Sequence, residues 1–544
     1  MEKKEPALSD RGGASPIARD QPILPTWRLV CLTISVCFGL FLSLLDTTIV
    51  ATALYTIGVD LNALETVTWV ALSYTLSYLG CAVIFARIGD ICGRRNAYIA
   101  AFIIFFAFSL GCGFAQTLNQ LIACRALQGI GGSGLYSLTF VILAEVSPRN
   151  EKLGRTIGAL AGFVVAVAGV LGPVLGGVIT HYTTWRWVFW INLPIGLVPL
   201  IMFVIAWPKA HQLVHAPRRS WKELDILGCI LLIAATVLVV FSFQQAGIRD
   251  NAWKQPIFIV PLVIGLLCAF FLFCWEVAVA RYWEDKIATM FPLRLMRRRV
   301  YMGYVLSTLL TGFPYFTVMF SLPIRMQVVG RKTALMAGLS LLPMLGTVAL
   351  GTVLGGAING NRDLKFPTLV VATIFMTIGC AALSTVEATG GLQGGIYGFQ
   401  VFAGLGFGTL ISTVSMAASL ECEIRDNTVA QGIIAQVRIL GGSIGIAAST
   451  AILGASQRRN LSGLVSASEL ASLQTFSQTA STEQLLAIRK TYSDAFSTDM
   501  KVSAAVAGLA VLGTLVTFRT KKVDVQARFN ERIIEEGERM RTMV

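Results

Sequence analysis

Asp46, in the run SLLDTTIVATAL, and Arg125, in CRALQGIGGSGL, are charged side chains set inside apolar blocks, where charge is costly and therefore marks a functional interior rather than a lipid face. Apart from residues close to block ends, Asp46 is read as the one carboxylate in any such block, and Arg125 and Arg438 are the two arginines. Burial penalises a carboxylate's charge and a nearby guanidinium restores it, so a pair of this kind can take and release a proton while the arginine stays charged. On this reading Asp46 carries a coupling proton and Arg125 tunes it. The alternative is a fixed ion pair joining two helices, a weak source of stability because each ion must be desolvated.

Other residues invite a chemical or mechanical reading beside a plainer one. In ARIGDICGRRN, Asp90 with Gly93, Arg94 and Arg95 suits an ionic latch on a tight turn, although the arginines would also serve as topogenic charge. In AGVLGPVLGG, Gly169, Gly172, Pro173, Gly176 and Gly177 place small residues every three to four positions, a face for close helix approach with a proline bend. That run reads as a conformational joint, against ordinary packing. Arg438 is expected to contact cargo, pair with a carboxylate, or snorkel to the interface. Gln128, Tyr315, Phe316 and Gln400 are cavity candidates that aromatic and amide packing would equally explain. His181, His211 and His215 show no metal-ligand spacing, and the 11 cysteines lie mostly within apolar blocks with no disulfide framework. No Walker loop is present, which argues against an ATP-driven pump.

The elements that must position these residues are membrane helices. The 544 residues are 55% hydrophobic and 14% charged, with mean hydropathy +0.69, and apolar residues come in blocks of about twenty, long enough to cross a bilayer. We read an all-α polytopic protein of about fourteen spans: 29–53, 67–86, 97–116, 121–144, 156–180, 188–207, 225–246, 257–280, 300–324, 333–357, 367–388, 394–418, 430–455 and 501–518. The net charge of +14 sits mainly in alternate loops and both tails, and the short loops after spans 1, 3 and 11 carry no Lys or Arg. That asymmetry assigns both termini to the cytoplasm and turns the basic charge to the membrane rather than to nucleic acid. The segment Arg325–Lys332 departs from it. The first 25 residues are polar and Pro-rich, with no cleavable signal, so span 1 is expected to act as the uncleaved one.

The chain divides into a tail at 1–28, six spans at 29–207, two spans with basic linkers at 208–299, six spans at 300–518 and a tail at 519–544. A long outer loop is expected at 456–500, holding the sequon Asn460-Leu461-Ser462. The two six-span blocks echo each other: Gly404, Gly406 and Gly408 parallel Gln128, Gly129, Gly131 and Gly132, and RILGGSIG parallels the small-residue run of span 5. Repeated halves facing a central site are a construction of secondary transporters.

Together these motifs resemble the major facilitator superfamily, and within it the fungal fourteen-spanning drug:proton antiporters, over residues 29–519. LLDTTIVATAL resembles the first-span signature and carries Asp46; ARIGDICGRRN resembles the loop between spans 2 and 3, with Ala86 where a glycine is usual. RALQGIGGSG matches the span 4 motif at Arg125, Gln128 and Gly129, GVLGPVLGG the span 5 motif of antiporters, and WRWVFWINLPIG the segment between spans 5 and 6. The resemblance implies two six-helix bundles rocking about a central cavity, with spans 7 and 8 at the side. It implies export of a small amphipathic drug, toxin or secondary metabolite against entering protons, with no enzyme activity and no cofactor beyond the proton gradient. The expected setting is a monomer in the plasma membrane rather than the vacuole. Uptake of an iron chelate on the same fold and a non-transporting sensor are the alternatives.

Overall fold

In this computed structural model the described residues are 25–61, 67–146, 151–208, 221–248, 254–283, 287, 291, 293–360, 364–386, 394–422, 427–461, 464 and 481–519. Most of both tails, the centre of the 456–500 segment, much of the two basic linkers, and His211 and His215 lie outside them. The apolar blocks are helices because hydrocarbon offers no partner to a backbone amide, and a helix satisfies all of its own. Among the described residues thirteen helices are long and apolar enough to cross a membrane, and Val167–Tyr182 is a shorter apolar stretch within the helix Glu151–Tyr182.

In chain order the helices are α1 (Thr26–Asp60), α2 (Thr68–Cys92), α3 (Arg94–Phe114), α4 (Leu118–Val146), α5 (Glu151–Tyr182), α6 (Asn192–Ala206, led in by a turn at Trp187–Trp190), α7 (Ile226–Ile248) and α8 (Pro256–Tyr282). There follow α9 (Arg299–Val328), α10 (Leu342–Gly360, preceded by Ala334–Leu339), α11 (Lys365–Ser384), α12 (Gly395–Glu421), α13 (Asn427–Leu461) and α14 (Thr482–Leu515). Helices α1–α6 pack as one bundle and α9–α14 as a second.

The echo between the halves is structural. A Cβ on Gly129 would fall 2.5 Å from the Tyr74 carbonyl oxygen of α2, and one on Gly131 2.5 Å from the Phe105 amide of α3. Gly404 meets the Met344 carbonyl of α10 in the same way, and Gly406 the Ala372 carbonyl and Met376 amide of α11. Each glycine run thus wedges its helix between two neighbours, with backbone against backbone. The register places Gln400, four residues before Gly404, where the first half has Arg125, four before Gly129.

The bundles meet along two seams. Near Asp90, α2 packs on α13, where a Cβ on Gly432 would stand 3.3 Å from that of Ala86. The glycine missing at Ala86 is thus answered by one on the facing helix. On the other seam Gly169 of α5 faces Met319 of α9 and Leu345 of α10. Helix α7 lies against both α2 and α13, through Leu72, Leu76, Leu79 and Val240 with Ile439 and Leu440, so the α7–α8 hairpin covers the first seam. Within the hairpin, Asp225 ties the start of α7 to α8, accepting from the Gly228 amide at 2.7 Å and the Trp275 indole at 2.9 Å.

Three expectations change. The segment 456–500 is helical at both ends, with α13 continuing to Leu461 and α14 starting at Thr482. A capping box sets that start: the Ser481 hydroxyl accepts from the Gln484 amide, and the Gln484 side chain accepts from the Ser481 amide at 3.0 Å. Residues 482–500 are amphipathic rather than apolar, burying Ile488, Tyr492, Ala495 and Phe496, so hydropathy alone misses them. Consequently Asp499 is a buried residue well inside a membrane-length helix, accepting from the Ser449 hydroxyl at 2.5 Å, so Asp46 is not the one such carboxylate; Asp225 and Glu276, close to block ends, are buried as well. Arg325, read as a loop charge, lies buried in α9 with its guanidinium 5.3 Å from the Phe496 ring centroid. Asn460 is exposed in the last turn of α13.

Candidate functional site: a buried carboxylate cluster and a seam arginine

The Asp46 carboxylate is fully buried and fully engaged. Arg125 Nη1 donates to Oδ2 at 2.5 Å, while Gln128 Nε2 and Asn192 Nδ2 donate to Oδ1 at 3.0 and 3.2 Å. Gln128 Oε1 accepts in turn from Arg125 at 2.9 Å, and Arg125 Nε donates to the Val70 carbonyl at 3.2 Å. The guanidinium lies over the Tyr74 ring, 4.1 Å from its centroid, with Phe189 at 5.5 Å. Asn192 is itself aimed by donation to the Ser109 hydroxyl at 3.0 Å, and Ser109 donates to the Phe189 carbonyl at 2.8 Å. Five helices of the first bundle therefore converge on one carboxylate. A charge-assisted donor set of this kind holds an anion firmly and loses most of its attraction once the anion is protonated.

Local sequence explains the convergence. Arg125 and Gln128 are three apart on α4 and so share a face. Helix α5 fixes the depth of α1 because Gly172 receives Thr48, and Gly176 receives Thr52 and the Ile49 carbonyl. A Cβ at Gly172 would stand 2.6 Å from that of Thr48. Gly177 is half-buried; Pro173 falls within α5, with its side chain outside the described ones. The glycine run therefore has two faces: Gly172 and Gly176 toward Asp46's own helix, Gly169 toward the other bundle.

The segment Trp185–Asn192 closes the opposite end. The Trp185 indole donates to Asp60 at 2.8 Å, and Arg186 donates to the Gly113 and Ala115 carbonyls at the end of α3, at 3.0 and 2.6 Å. Trp190 lies against Gly113. These anchors deliver Asn192 to Asp46. Asn192 and Ser109 are the members of the cluster that sequence reasoning missed; the signal for the first was the INLP that follows the aromatic run.

At the other end of α2, Gly93 is the single residue between two helices, with φ 83°, a conformation that favours glycine. Arg94 Nη2 donates to Asp90 Oδ1 at 3.3 Å, and Arg87 Nη1 lies 3.7 Å from Oδ2. The latch residues Asp90 and Arg94 are thus paired across the α2–α3 turn, while Arg95 is exposed.

The cavity candidates separate. Gln128 belongs to the Asp46 cluster, and Phe316 packs on Gly442 of α13. Tyr315 is buried, stacked on Phe407 at 3.7 Å and 9°, and Gln400 is fully buried. Arg438 lies about three turns into α13 and is 5% exposed, so it does not snorkel. Its Nη1 donates to the Tyr136 hydroxyl of α4 at 3.4 Å, across the seam.

Two echoing helical bundles, one of them holding a buried charged cluster, are the build of a secondary transporter. Residues 36–446 match the Major Facilitator Superfamily, and the chain belongs to it. It is 33% identical to the MFS-type transporter FPY5 of Fusarium mangiferae, over 94% of this chain and 87% of that one. It is 29% identical to the efflux pump roqT of Penicillium rubens, over 93% of each, and 27% identical to the rubrofusarin-specific efflux pump aurT of Gibberella zeae, over 80% and 78%. Among solved structures, the human organic anion transporter MFSD10 superposes with TM-score 0.55 at 13% identity, covering 88% of this chain and 99% of that one. The chain is a transporter, not an enzyme.

Proposed function

We propose that this protein is a proton-coupled exporter of amphipathic small molecules, working by alternating access in the plasma membrane with both termini in the cytoplasm. The observation that carries the coupling is the Asp46 carboxylate, fully buried and held by Arg125, Gln128 and Asn192. Protonation from outside removes the anion that Arg125, Gln128 and Asn192 converge on. The cluster loosens, α1 moves relative to α4 and α6, and the cargo leaves. Deprotonation toward the cytoplasm draws the donors back and restores the state that rebinds cargo. The glycine face of α5 keeps α1 in register while that happens, and the Asp90–Arg94 pair at the α2–α3 turn steadies the bundle end. The direction of transport is supported by the relatives named as efflux pumps in Penicillium rubens and Gibberella zeae.

The test is the purified full-length protein in liposomes under an imposed pH gradient. Cargo movement and internal pH are recorded together, once with a fluorescent amphipathic cation and once with an aromatic carboxylate. Opposite movement of protons and either cargo supports the proposal. Movement of protons and cargo in the same direction contradicts it and points to uptake.

A further inference from the structure

Arg438 is a membrane-depth guanidinium with no carboxylate within ion-pair distance among the described residues. Its one hydrogen bond there is the 3.4 Å contact to the neutral Tyr136 hydroxyl, and its Nε has no partner. A guanidinium offers five donors, and burying its charge without an anion is costly. Asp46 does not answer it, because Arg125 already engages that carboxylate at 2.5 Å.

The surroundings carry a second, independent sign. Tyr315 of α9 lies within electrostatic reach of both Tyr136 and Arg438. Its hydroxyl finds no hydrogen-bond partner although the residue is 3% exposed, and its ring is stacked face to face on Phe407. On α12, Gln400 is 0% exposed and neither of its amide atoms has a partner. Gln400 and Phe407 are seven residues apart and so share a helix face. A cation and a free phenol thus lie together at the seam between the bundles, with a planar aromatic partner stacked on the phenol and a free amide two turns away on that partner's helix.

We infer that the cargo is an aromatic anion: a planar ring system bearing a carboxylate or an acidic phenol, whose charged oxygen takes the Arg438 guanidinium in place of the Tyr136 hydroxyl. The ring lies against the Tyr315–Phe407 pair, and Gln400 bonds the ring's polar substituents. This names the cargo class of the transport reading above and rests on it for direction only. Cargo arrival also reaches the proton site. Tyr136 packs at a tilt against Tyr78, with ring centroids 5.8 Å apart, Tyr78 stacks on Tyr74 at 5.7 Å, and Tyr74 lies under Arg125. An anion that takes Arg438 from Tyr136 therefore frees the far end of a tyrosine line that begins at the carboxylate cluster.

The test is equilibrium dialysis of the detergent-purified full-length protein against radiolabelled 1-hydroxy-2-naphthoate and its neutral analogue 1-hydroxy-2-naphthamide, with size-exclusion profiles to confirm folding. Wild type is expected to bind the anion at least tenfold more tightly than the amide. Arg438→Gln should bind the two equally, and Arg438→Lys should keep a reduced preference. Tyr136→Phe, which removes the competing hydroxyl and keeps the ring, should bind the anion several-fold more tightly than wild type; this variant keeps the test decisive if Arg438→Gln does not fold. Equal binding of both probes by wild type, binding of neither, or a preference that survives Arg438→Gln, overturns the inference. Anion binding without proton-linked flux in liposomes would instead leave it standing and remove the exporter reading. Proton-linked flux with no anion preference would do the reverse.

Discussion

Asp46 takes three donors from two helices, and the one that sequence reasoning did not supply makes the sharpest residue-scale prediction. Asn192→Ala removes a hydrogen bond to a charged group, a change of about 1.5–3 kcal/mol, and leaves Arg125 and Gln128 in place. Cargo-driven proton movement in liposomes should fall about tenfold or more, while Ser109→Ala, which only lets Asn192 swing, should cost less; equal rates for Asn192→Ala and wild type would remove Asn192 from the site. Asp46, Arg125 and Gln128 were legible because charge and amide groups inside apolar sequence are conspicuous. Asn192 was not, because an asparagine beside a helix start is ordinary, and its partner lies 146 residues away. Gln128 was legible as important but not for its role, since spacing does not say whether an amide faces a cavity or a neighbour.

Helices were legible as blocks, less so as partners. The glycine run of α5 announced close approach, but only the packing says that Gly172 and Gly176 face α1 while Gly169 faces the second bundle. The two α1-facing glycines should respond differently to repair. Gly172→Ala overlaps the Thr48 side chain, so pairing it with Thr48→Gly should restore part of the lost thermal stability. Gly176→Ala meets both the Thr52 hydroxyl and the fixed Ile49 carbonyl, so Thr52→Ala relieves only the first and should restore less. Each single change should cost about 1–3 kcal/mol as overpacking, read as a drop in melting temperature of the purified protein. The start of α14 was written in Ser481–Gln484 but went unread, because a helix that extends past the apolar block has no hydropathy to reveal it.

The whole molecule is a doubled frame carrying unequal sites. Matching glycines seat α4 and α12 identically, yet the first half places Arg125 where the second places Gln400, so the carboxylate cluster belongs to one bundle while Arg438 lies on the seam between them. The seam near Asp90 depends on a small residue at 432: Gly432→Leu should hold that end apart. Spin labels at Arg95 and Arg299, exposed residues at the starts of α3 and α9, should report a longer mean distance than in the unsubstituted background; an unchanged distance would say that the seam does not close there. The central claim is that Asp46 carries the coupling proton. Its most direct test is cargo-evoked pH change in proteoliposomes, measured beside cargo-for-cargo exchange in the same preparations, for wild type and Asp46→Asn. The Asp46→Asn protein should still exchange cargo down its gradient but evoke no proton movement. Wild-type proton movement per cargo in the Asp46→Asn protein would contradict it.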